Sequence, residues 1–370
     1  MLFKCNAVEL ADALQKVVKA IPTRAVAPVF ECIKIEARGD MLKLLATDGS
    51  FSIEKIVSAK VSGDGEVMVK GRFFAEFLRR ITDGDVEGEL SAEGMLSIKY
   101  RDGKTKINCV LGQDFPPQKF YEYDKKLKVK QGELRGLIQK MVFAAPNDDL
   151  DGGRSAIKGC LIEIKEERLR LVALDGYRLA YADTPMSGAS VPVKIVIPAN
   201  ALKEVAGLLL EDEAHVTLLA SSNKIEFDMV HTKVTSALYT EDYFDYNRII
   251  SSDDSTVMTV HRKQLMQSME RAAVLSREDK SPQVLFEIKD SVLAIKSAGG
   301  IGNVKEKITV SAKGKDLVIA FNSKFVMDAL KAVDNEFLTF RFTSSTVPAL
   351  IEAAEGDKNF LFLIIPIRIY

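Results

Sequence analysis

The chain has 370 residues, of which 51 are basic and 52 acidic, so its formal net charge is −1. A hydrophobic content of 47% and a charged content of 28% are ordinary for a soluble globular protein. The near-neutral sum excludes a polycation that binds nucleic acid through its overall charge, but it permits one basic face. The longest apolar run, residues 360–367, is shorter than the ~20 residues of a membrane helix, and the N-terminus lacks a signal-peptide pattern. We therefore expect a soluble cytoplasmic protein.

The first predicted helix covers residues 8–21. Its apolar residues recur at three- and four-residue steps, while Asp12, Lys16 and Lys19 fall on the opposite side. Amphipathic segments of the same kind follow at residues 72–81, 133–144, 201–209, 263–275 and 324–333. The cations predicted to lie on their exposed sides are Arg72, Arg79, Arg80, Arg135, Lys140, Lys203, Arg271, Lys324 and Lys331.

Between the helices the hydrophobic period falls to two, which predicts half-buried strands. Such alternation occurs at residues 32–36, 106–110, 161–165, 169–172 and 293–296. Turns rich in Gly and Asp are predicted at residues 63–65, 83–85, 102–103 and 298–300. Each third of the chain is therefore predicted to form antiparallel hairpins with two helices on one face, which is an α+β layer domain.

The helices recur with a long period. Leu10, Leu134 and Leu265 anchor the first helix of each third, and a second set is anchored on Phe74, Leu202 and Val326. Within both sets the anchors lie roughly 125–130 residues apart, which favours three tandem similar domains over one large fold. The predicted domains are residues 1–122, 127–253 and 256–370, joined near residues 121–127 and 251–256.

Residues that carry chemistry are sparse. The four cysteines form no CxxC pair and favour buried reduced thiols, and the three histidines recur at no metal-ligand spacing. The acidic residues 147–151 lack the glutamate that closes an EF-hand loop, residues 299–302 lack the ending of a phosphate loop, and no GxSxG motif is present. We expect neither catalysis nor a bound metal or cofactor. The residues concerned are Cys5, Cys32, Cys109, Cys160, His215, His231 and His261.

Several motifs resemble those of the bacterial β sliding clamps, the processivity factors of replicative DNA polymerases. The sequence ALDGYRLA at residues 173–180 is similar to the family's ATDG(H/Y)RLA signature, and residues 363–369 resemble its C-terminal strand with Pro-x-Arg. Residues 114–116, 276–278 and 321–330 also match. The similarity runs through the whole chain, so it implies the family's three-domain clamp fold and a head-to-tail homodimer that forms a closed ring.

The resemblance implies that helices line the hole of that ring and face duplex DNA. Weak, sequence-independent contacts with phosphates suit a ring that must slide. The implied DNA-contacting residues are Lys16, Lys19, Arg24, Arg79, Arg80, Lys140, Lys203, Arg271 and Lys331. The implied dimer-interface residues are Ile107, Val274 and Leu275, with Thr105 at a position that is often aromatic in the family.

The resemblance also implies a pocket between the second and third domains, where polymerases, the clamp loader and repair proteins dock short apolar peptides. Leu174 and Phe244 depart from the family pattern and make its wall bulkier. The implied pocket residues are Ile157, Leu174, Gly176, Tyr177, Arg178, Leu179, Phe244, Arg248, Ile249, Asn322, Phe325, Pro348, Leu363, Ile365, Pro366, Ile367 and Arg368.

Two other functions remain as alternatives. A nucleotide- or DNA-processing enzyme built on duplicated domains would need carboxylates or histidines clustered in a cleft, and the sequence lacks such a pattern. A structural ring unrelated to DNA would not need cations on the exposed sides of its helices.

Overall fold

A computed structural model describes residues 1–117, 122–146, 158–186, 193–210, 213–250, 253–275, 282–300, 302–356 and 358–369. The chain divides into two compact units, one of Met1–Gly132 with Gly207–Leu238 and one of Glu133–Ala206 with Tyr239–Tyr370. Within the described residues, none of the helices is both long and apolar enough to cross a membrane.

The first unit contains two antiparallel sheets and helices α1 (Ala7–Val17) and α2 (Gly71–Leu78). The sheet orders are β5-β1-β7-β8-β9 and β10-β15-β16-β17-β4-β3-β2-β6. The strands are β1 (Leu2–Asn6), β2 (Cys32–Arg38), β3 (Met41–Thr47), β4 (Phe51–Ser58), β5 (Lys60–Gly63), β6 (Gly65–Lys70), β7 (Asp85–Leu90), β8 (Met95–Tyr100), β9 (Gly103–Asn108), β10 (Lys125–Lys130), β15 (His215–Ala220), β16 (Lys224–Asp228) and β17 (Thr232–Ala237).

The second unit contains sheets ordered β14-β11-β12-β13-β26-β25-β24-β18-β22 and β21-β20-β19-β23. Its helices are α4 (Ala199–Ala206), α5 (Arg262–Leu275) and α6 (Ser323–Lys331), and most of α3 (Gln131–Met141) belongs to it. The strands are β11 (Cys160–Lys165), β12 (Arg168–Leu174), β13 (Arg178–Pro185), β14 (Lys194–Ile197), β18 (Thr256–His261), β19 (Gln283–Lys289), β20 (Val292–Gly299), β21 (Gly302–Thr309), β22 (Ser311–Gly314), β23 (Leu317–Asn322), β24 (Phe337–Phe342), β25 (Ala349–Ala353) and β26 (Phe360–Ile364).

The α+β prediction with two helices in each third is confirmed. Each predicted helix is present, and its apolar side is buried, as at Leu10, Leu14, Leu134, Ile138 and Leu265. Burying such a side drives packing because each apolar side chain removed from water contributes about 1.5–3 kcal/mol. Of the four thiols predicted to be buried, Cys5, Cys32 and Cys160 are buried, whereas Cys109 is only half-buried.

Several predicted bounds and faces were wrong. Residues 18–20 and 142–144 form tight 3-10 turns rather than α-helix, and α2, α4 and α6 end two or three residues early. Short 3-10 turns at helix ends satisfy carbonyls that lack an α-helical partner. Val110 lies outside β9 because its N–H donates to Met68 O of β6 at 2.9 Å. Arg135 and Lys140, expected outside, are half-buried.

Each third of the chain forms the same two sets of four strands. An N-terminal strand leads a set of four, as in β1-β7-β8-β9, β10-β15-β16-β17 and β18-β24-β25-β26. A second set of four follows the orders β6-β2-β3-β4, β14-β11-β12-β13 and β23-β19-β20-β21, and the short strands β5 and β22 extend the first set beside β1 and β18. Sets from neighbouring thirds join edge to edge, β17 on β4 within the first unit and β26 on β13 within the second.

This edge pairing explains why the compact units do not follow the three repeats. The middle third contributes β10 and β15–β17 to one unit and β11–β14 to the other. β9 of the first third occupies the same place in its set as β17 and β26, and β21 of the last third occupies the same place as β4 and β13. Unlike those joined strands, both β9 and β21 are terminal strands of their sheets. An open strand edge presents unpaired backbone donors and acceptors to another chain.

Candidate functional site

The ALDGYRLA motif forms a tight turn between β12 and β13. One carboxylate oxygen of Asp175 accepts hydrogen bonds from the backbone N–H groups of Tyr177 and Arg178, at 3.0 and 3.1 Å. Gly176 has φ +87°, a left-handed conformation that a side chain disfavours. The turn therefore presents the Tyr177 side chain outward, where it is 64% exposed.

Arg178 is not a free polar anchor. Its side chain is 9% exposed, its Nε donates to Asp175 at 3.0 Å, and its guanidinium donates to Asp328 of α6 at 2.7 Å. The guanidinium also lies over the rings of Phe325 and Phe143, at 4.5 and 5.4 Å from their centroids. A buried arginine held by two carboxylates and two rings fixes the position of the surrounding wall. Arg178 therefore positions the turn against α6, and its contact with a partner peptide stays a prediction.

The C-terminal tail completes an apolar surface beside this turn. The Tyr177 ring lies 6.1 Å from the Phe325 ring, and Ile365 N donates to Tyr177 O at 2.9 Å. Ile367 N donates to Ala320 O at 2.8 Å. Ile365 is 40% exposed, and Ile367 and Phe325 are half-buried. We call Tyr177, Phe325, Ile365 and Ile367 the tail surface.

Buried leucines of the neighbouring strands form an apolar floor. Leu174, Leu179 and Leu363 are at most 4% exposed and belong to one hydrophobic cluster with Tyr243 and Tyr246 of the connector that follows β17. Ile249 packs against the same cluster, while Phe244 is 38% exposed and Arg248 extends into solvent. The connector thus covers part of the sheet and leaves one large apolar side chain, Phe244, exposed.

A polar network holds that connector in place. The Tyr246 hydroxyl donates to Glu163 at 2.5 Å and accepts from Arg170 at 3.0 Å. Arg170 and Arg168 both bind Asp183, which is 4% exposed, at 3.0 and 2.8 Å. Burial and the hydrogen bond with Glu163 raise the pKa of Tyr246, which keeps its hydroxyl a donor even in alkaline solution, where an exposed tyrosine would ionise.

The first third has the same turn but a mixed surface around it. Asp48 accepts from the backbone N–H groups of Ser50 and Phe51 at 2.7 and 2.6 Å, and Gly49 has φ +96°. A cavity of about 850 Å³ lies there, and its lining combines polar and charged side chains with Leu45, Phe115, Pro116 and Pro117. The strand positions held by Leu174 and Leu179 in the second third are held here by Thr47 and Ser52. The leucine pair at these positions therefore distinguishes the second third from the first.

The other residues predicted for this pocket differ in their contacts and in their exposure. Asn322 caps α6 by accepting from Lys324 N at 3.0 Å, Pro348 and Pro366 are half-buried, and Arg368 is exposed. Ile157 lies outside the described residues, as does the matching motif at residues 276–278. Sequence reasoning missed Asp328, Phe143 and Tyr246, because nothing local marks Asp328 as the counterion of an arginine 150 residues away.

The predicted DNA-facing cations of the first unit lie on or beside α1 and α2, which are joined by a hydrogen bond from Gln15 Nε2 to Ala75 O at 3.0 Å. Most of them have a carboxylate neighbour. Lys16 pairs with Asp12 at 2.7 Å, and Arg79 and Arg80 both bind Glu76, at 2.9 and 2.8 Å. These hydrogen bonds lower the pKa of Glu76. Lys19 and Arg24 are exposed.

In the second unit, Lys203 and Lys331 are exposed, and Arg271 pairs with Glu306 at 2.6 Å. Lys140 differs from the expectation because its amine donates to Asn359 at 3.0 Å and lies 5.8 Å from the centre of the Phe360 ring. The aliphatic stem of a lysine packs readily on such apolar surface while its amine keeps a polar partner.

The predicted dimer residues differ in exposure. Val274 is 62% exposed near the end of α5, and this helix is tied to β21 by the Arg271–Glu306 pair. Ile107 is only 7% exposed in the single chain, so its side chain has little surface left for a partner. The side chain of Leu275 lies outside the described residues.

The chain repeats one arrangement three times, and each repeat contains two sets of four strands and two helices. This architecture defines the DNA-clamp fold. Family models of the DNA polymerase III beta subunit match the chain along its length: the N-terminal domain at residues 1–119, the central domain at residues 128–245 and the C-terminal domain at residues 247–368. The chain therefore belongs to the bacterial DNA polymerase III β subunits, the β sliding clamps.

Relatives agree with this assignment. The beta sliding clamp of Halalkalibacterium halodurans is 27% identical over 366 residues, which is 95% of each chain, and that of Streptococcus pneumoniae is 27% identical over 375 residues and 99% of each. The crystal structure of a putative DNA polymerase III beta subunit from Eubacterium rectale matches with a TM-score of 0.92 at 28% identity, covering 100% of both chains.

Proposed function

We propose that this protein is a DNA sliding clamp with three domains, at residues 1–122, 127–253 and 256–370. Two copies form a closed head-to-tail ring around duplex DNA and tether the replicative polymerase without catalysing a reaction. The clamp would work in the cytoplasm, without a metal or cofactor. The carrying observation is that neighbouring thirds join twice by the same edge pairing, while the equivalent edges β9 and β21 are terminal strands. Two copies can therefore repeat this pairing between molecules.

An exposed apolar group near one of these edges supports such a dimer. Val274 is exposed on the helix tied to β21, whereas Ile107 of β9 is only 7% exposed and contributes mainly to the core of its own chain. Backbone pairing along the strands would supply most of the specificity, since both edges present unpaired N–H and C=O groups. Symmetric closure requires two identical β9–β21 junctions.

The tail surface, together with the exposed Phe244 of the connector, is the proposed docking place for polymerase, clamp loader and repair proteins. Tyr177 and Ile365 offer exposed apolar groups, and buried Leu174, Leu179 and Leu363 fix the floor under the neighbouring strands. Arg178 holds the turn to α6, so the surface is preformed. Preformed apolar surfaces suit short motifs that contain leucine and phenylalanine.

Retention on closed DNA tests the ring directly. After the clamp has been loaded onto a circular plasmid by a clamp loader, cutting the circle once should speed dissociation by about tenfold or more, because weak phosphate contacts alone do not hold the protein. Gel filtration of labelled clamp before and after cutting measures this. Equal retention on cut and uncut plasmid would contradict enclosure and would favour a protein that grips DNA.

The helix cations should contribute to the salt dependence of DNA contact. Replacing Arg79 and Arg80 with alanine should lower the slope of log affinity against log salt by about 1–2, because each phosphate contact contributes about 0.9. Because Glu76 binds both arginines and competes with phosphates for them, we expect the decrease in slope to be nearer to about 1 than to about 2. The control Arg38→Ala removes an exposed cation at the end of β2. An equal slope for the double variant and the wild type would remove these arginines from the DNA-contacting set.

A further inference from the structure

The two junctions within the chain share one register. In the first, Thr232 pairs with Lys55 and Ser236 with Phe51. In the second, the corresponding pairs join residues 360 and 364 of β26 to residues 182 and 178 of β13. Both junctions therefore align five consecutive residue pairs at equivalent positions of the two strands. An intermolecular junction that repeats the rule has a definite register as well.

The hairpin turns supply that register for β9 and β21. The β8–β9 and β16–β17 hairpins both have two-residue turns, which makes Lys104 the equivalent of Lys233. The β2–β3 and β19–β20 turns also contain two residues, so β20 can be aligned with β3 residue by residue. At one aligned position, the residue of β20 pairs with Lys305 of β21 and the residue of β3 pairs with Glu54 of β4, which makes Lys305 the equivalent of Glu54. Since Lys233 pairs with Glu54, the open edges would place Lys104 opposite Lys305.

We infer that two copies pair through β9 and β21 in this register, and that the resulting lysine cluster weakens the dimer at low ionic strength. This inference rests on the proposed ring. It concerns how the charge at each junction controls closure of that ring.

The lysines form a continuous row on one face of the joined strands. Lys99 lies directly opposite Lys104 on β8 and β9, and Lys296 lies directly opposite Lys305 on β20 and β21. Directly opposed side chains in antiparallel strands have Cβ atoms about 5 Å apart, and like charges at that separation are destabilising. The row across the junction would thus contain four lysines in succession.

Carboxylates neutralise only the two ends of the row. Glu87 lies 3.6 Å from Lys99, and Glu287 lies 2.5 Å from Lys296. Across the residues that the structure describes, neither Lys104 nor Lys305 has a carboxylate within 4.0 Å. Glu287, which pairs with Lys296, also interacts electrostatically with Lys305, but the two central lysines would meet without a carboxylate in direct contact from the described residues of their own chain.

Neighbouring positions modify this repulsion without removing it. Lys106 would lie opposite Asn303, and Lys307 would lie opposite Asp102, by the same register. Lys307 thus gains a carboxylate partner, whereas Lys106 adds a third unneutralised cation diagonal to Lys305. On the helix side, Thr105 would meet Val304, so backbone pairing and apolar contact still favour association.

The equivalent internal junction shows how the same row can be stabilising. Lys233 lies 3.4 Å from both Glu226 and Asp228, and it pairs across the junction with Glu54. Opposite charges alternate there, whereas the open edges supply lysines on both sides. Replacement of Lys305 by glutamate would give the central pair of the intermolecular row the Lys–Glu arrangement of the internal pair Lys233–Glu54.

Dimerisation of the full chain as a function of salt tests the inference. By sedimentation equilibrium, the wild-type dissociation constant should fall by about tenfold as NaCl rises from about 0.05 to 0.5 M, because salt shortens the screening length to a few Å. At the lower salt, Lys305→Glu should tighten the dimer by about tenfold and flatten or reverse its salt response. Lys104→Glu should act in the same way from the other strand.

A double variant and a matched control sharpen the test. Lys104→Glu combined with Lys305→Glu restores like charges at the central pair but leaves Lys99 and Lys296 beside the new carboxylates, so it should tighten the dimer less than either single change does. Lys313→Glu makes the same charge change on the exposed face of β22 and should behave as wild type.

The outcomes separate the inference from the ring itself. A wild-type dimer that loosens with salt, or a Lys305→Glu dimer no tighter than that of Lys313→Glu, overturns the lysine cluster while leaving the ring standing. A chain that stays monomeric at every salt concentration, in all variants, overturns the ring and the inference together.

Discussion

Replacing Ile365 with aspartate should weaken binding of a short peptide containing leucine and phenylalanine by about 30-fold or more, as expected for a central apolar contact. Ile365 is 40% exposed beside Tyr177, so a carboxylate there would lose its water when a peptide docks. Ile367→Asp should act in the same direction. Fluorescence anisotropy with a labelled synthetic peptide measures the change, and sedimentation should show an unaltered dimer.

The matched control for this prediction is Ile369→Asp. Ile369 is 50% exposed and lies four residues further along the same tail, outside the tail surface. The control should change peptide affinity by less than about threefold, in line with other peripheral positions. Equal losses for Ile365→Asp and Ile369→Asp would mean that the peptide reads the charge of the tail rather than a defined apolar surface.

Replacing Asp183 with alanine should lower the stability of the second unit by about 3 kcal/mol, because it leaves two partly buried arginines without their shared carboxylate. Arg168 and Arg170 bind Asp183 at 2.8 and 3.0 Å, and their side chains are 30% and 16% exposed. The loss should also loosen the connector, since Arg170 donates to the Tyr246 hydroxyl. Urea unfolding followed by circular dichroism and by limited proteolysis of the connector measures both effects.

Asp316→Ala provides the comparison, because it removes a carboxylate from an exposed ion pair with Lys289 at 3.6 Å. Exposed pairs contribute about 0–1 kcal/mol, so this variant should unfold near the wild-type midpoint. If Asp183→Ala were no less stable than Asp316→Ala, the network would have no structural role.

Much of the fold could be predicted from periodicity alone. Leu10, Leu134 and Leu265 mark the three equivalent helices, and each is fully buried. The bounds were less accurate, as at Ile21 and Val110, because 3-10 turns and the N–H bond of Val110 to β6 depend on neighbours distant in sequence. Lys140 shows the same limit, since its position on a helix does not reveal Asn359 and Phe360 beside it.

The candidate site was predictable as a set of positions but not as a set of roles. The motif at residues 173–180 identified the turn, and Asp175 and Gly176 explain its conformation by local chemistry. The role of Arg178 depends on Asp328, which lies 150 residues away. Likewise, the contribution of Tyr246 depends on Glu163 and Arg170 of a separate hairpin.

The sequence by itself determined the threefold repeat, the inward sides of the helices and several of the strands, because side-chain periodicity is a local property of a chain. The tertiary structure alone decided which strand edges join, which carboxylates hold Arg178 and Arg170, and therefore which apolar surface remains exposed. Edge pairing uses backbone N–H and C=O groups that every residue carries, so the choice of partner strand follows from how the domains pack.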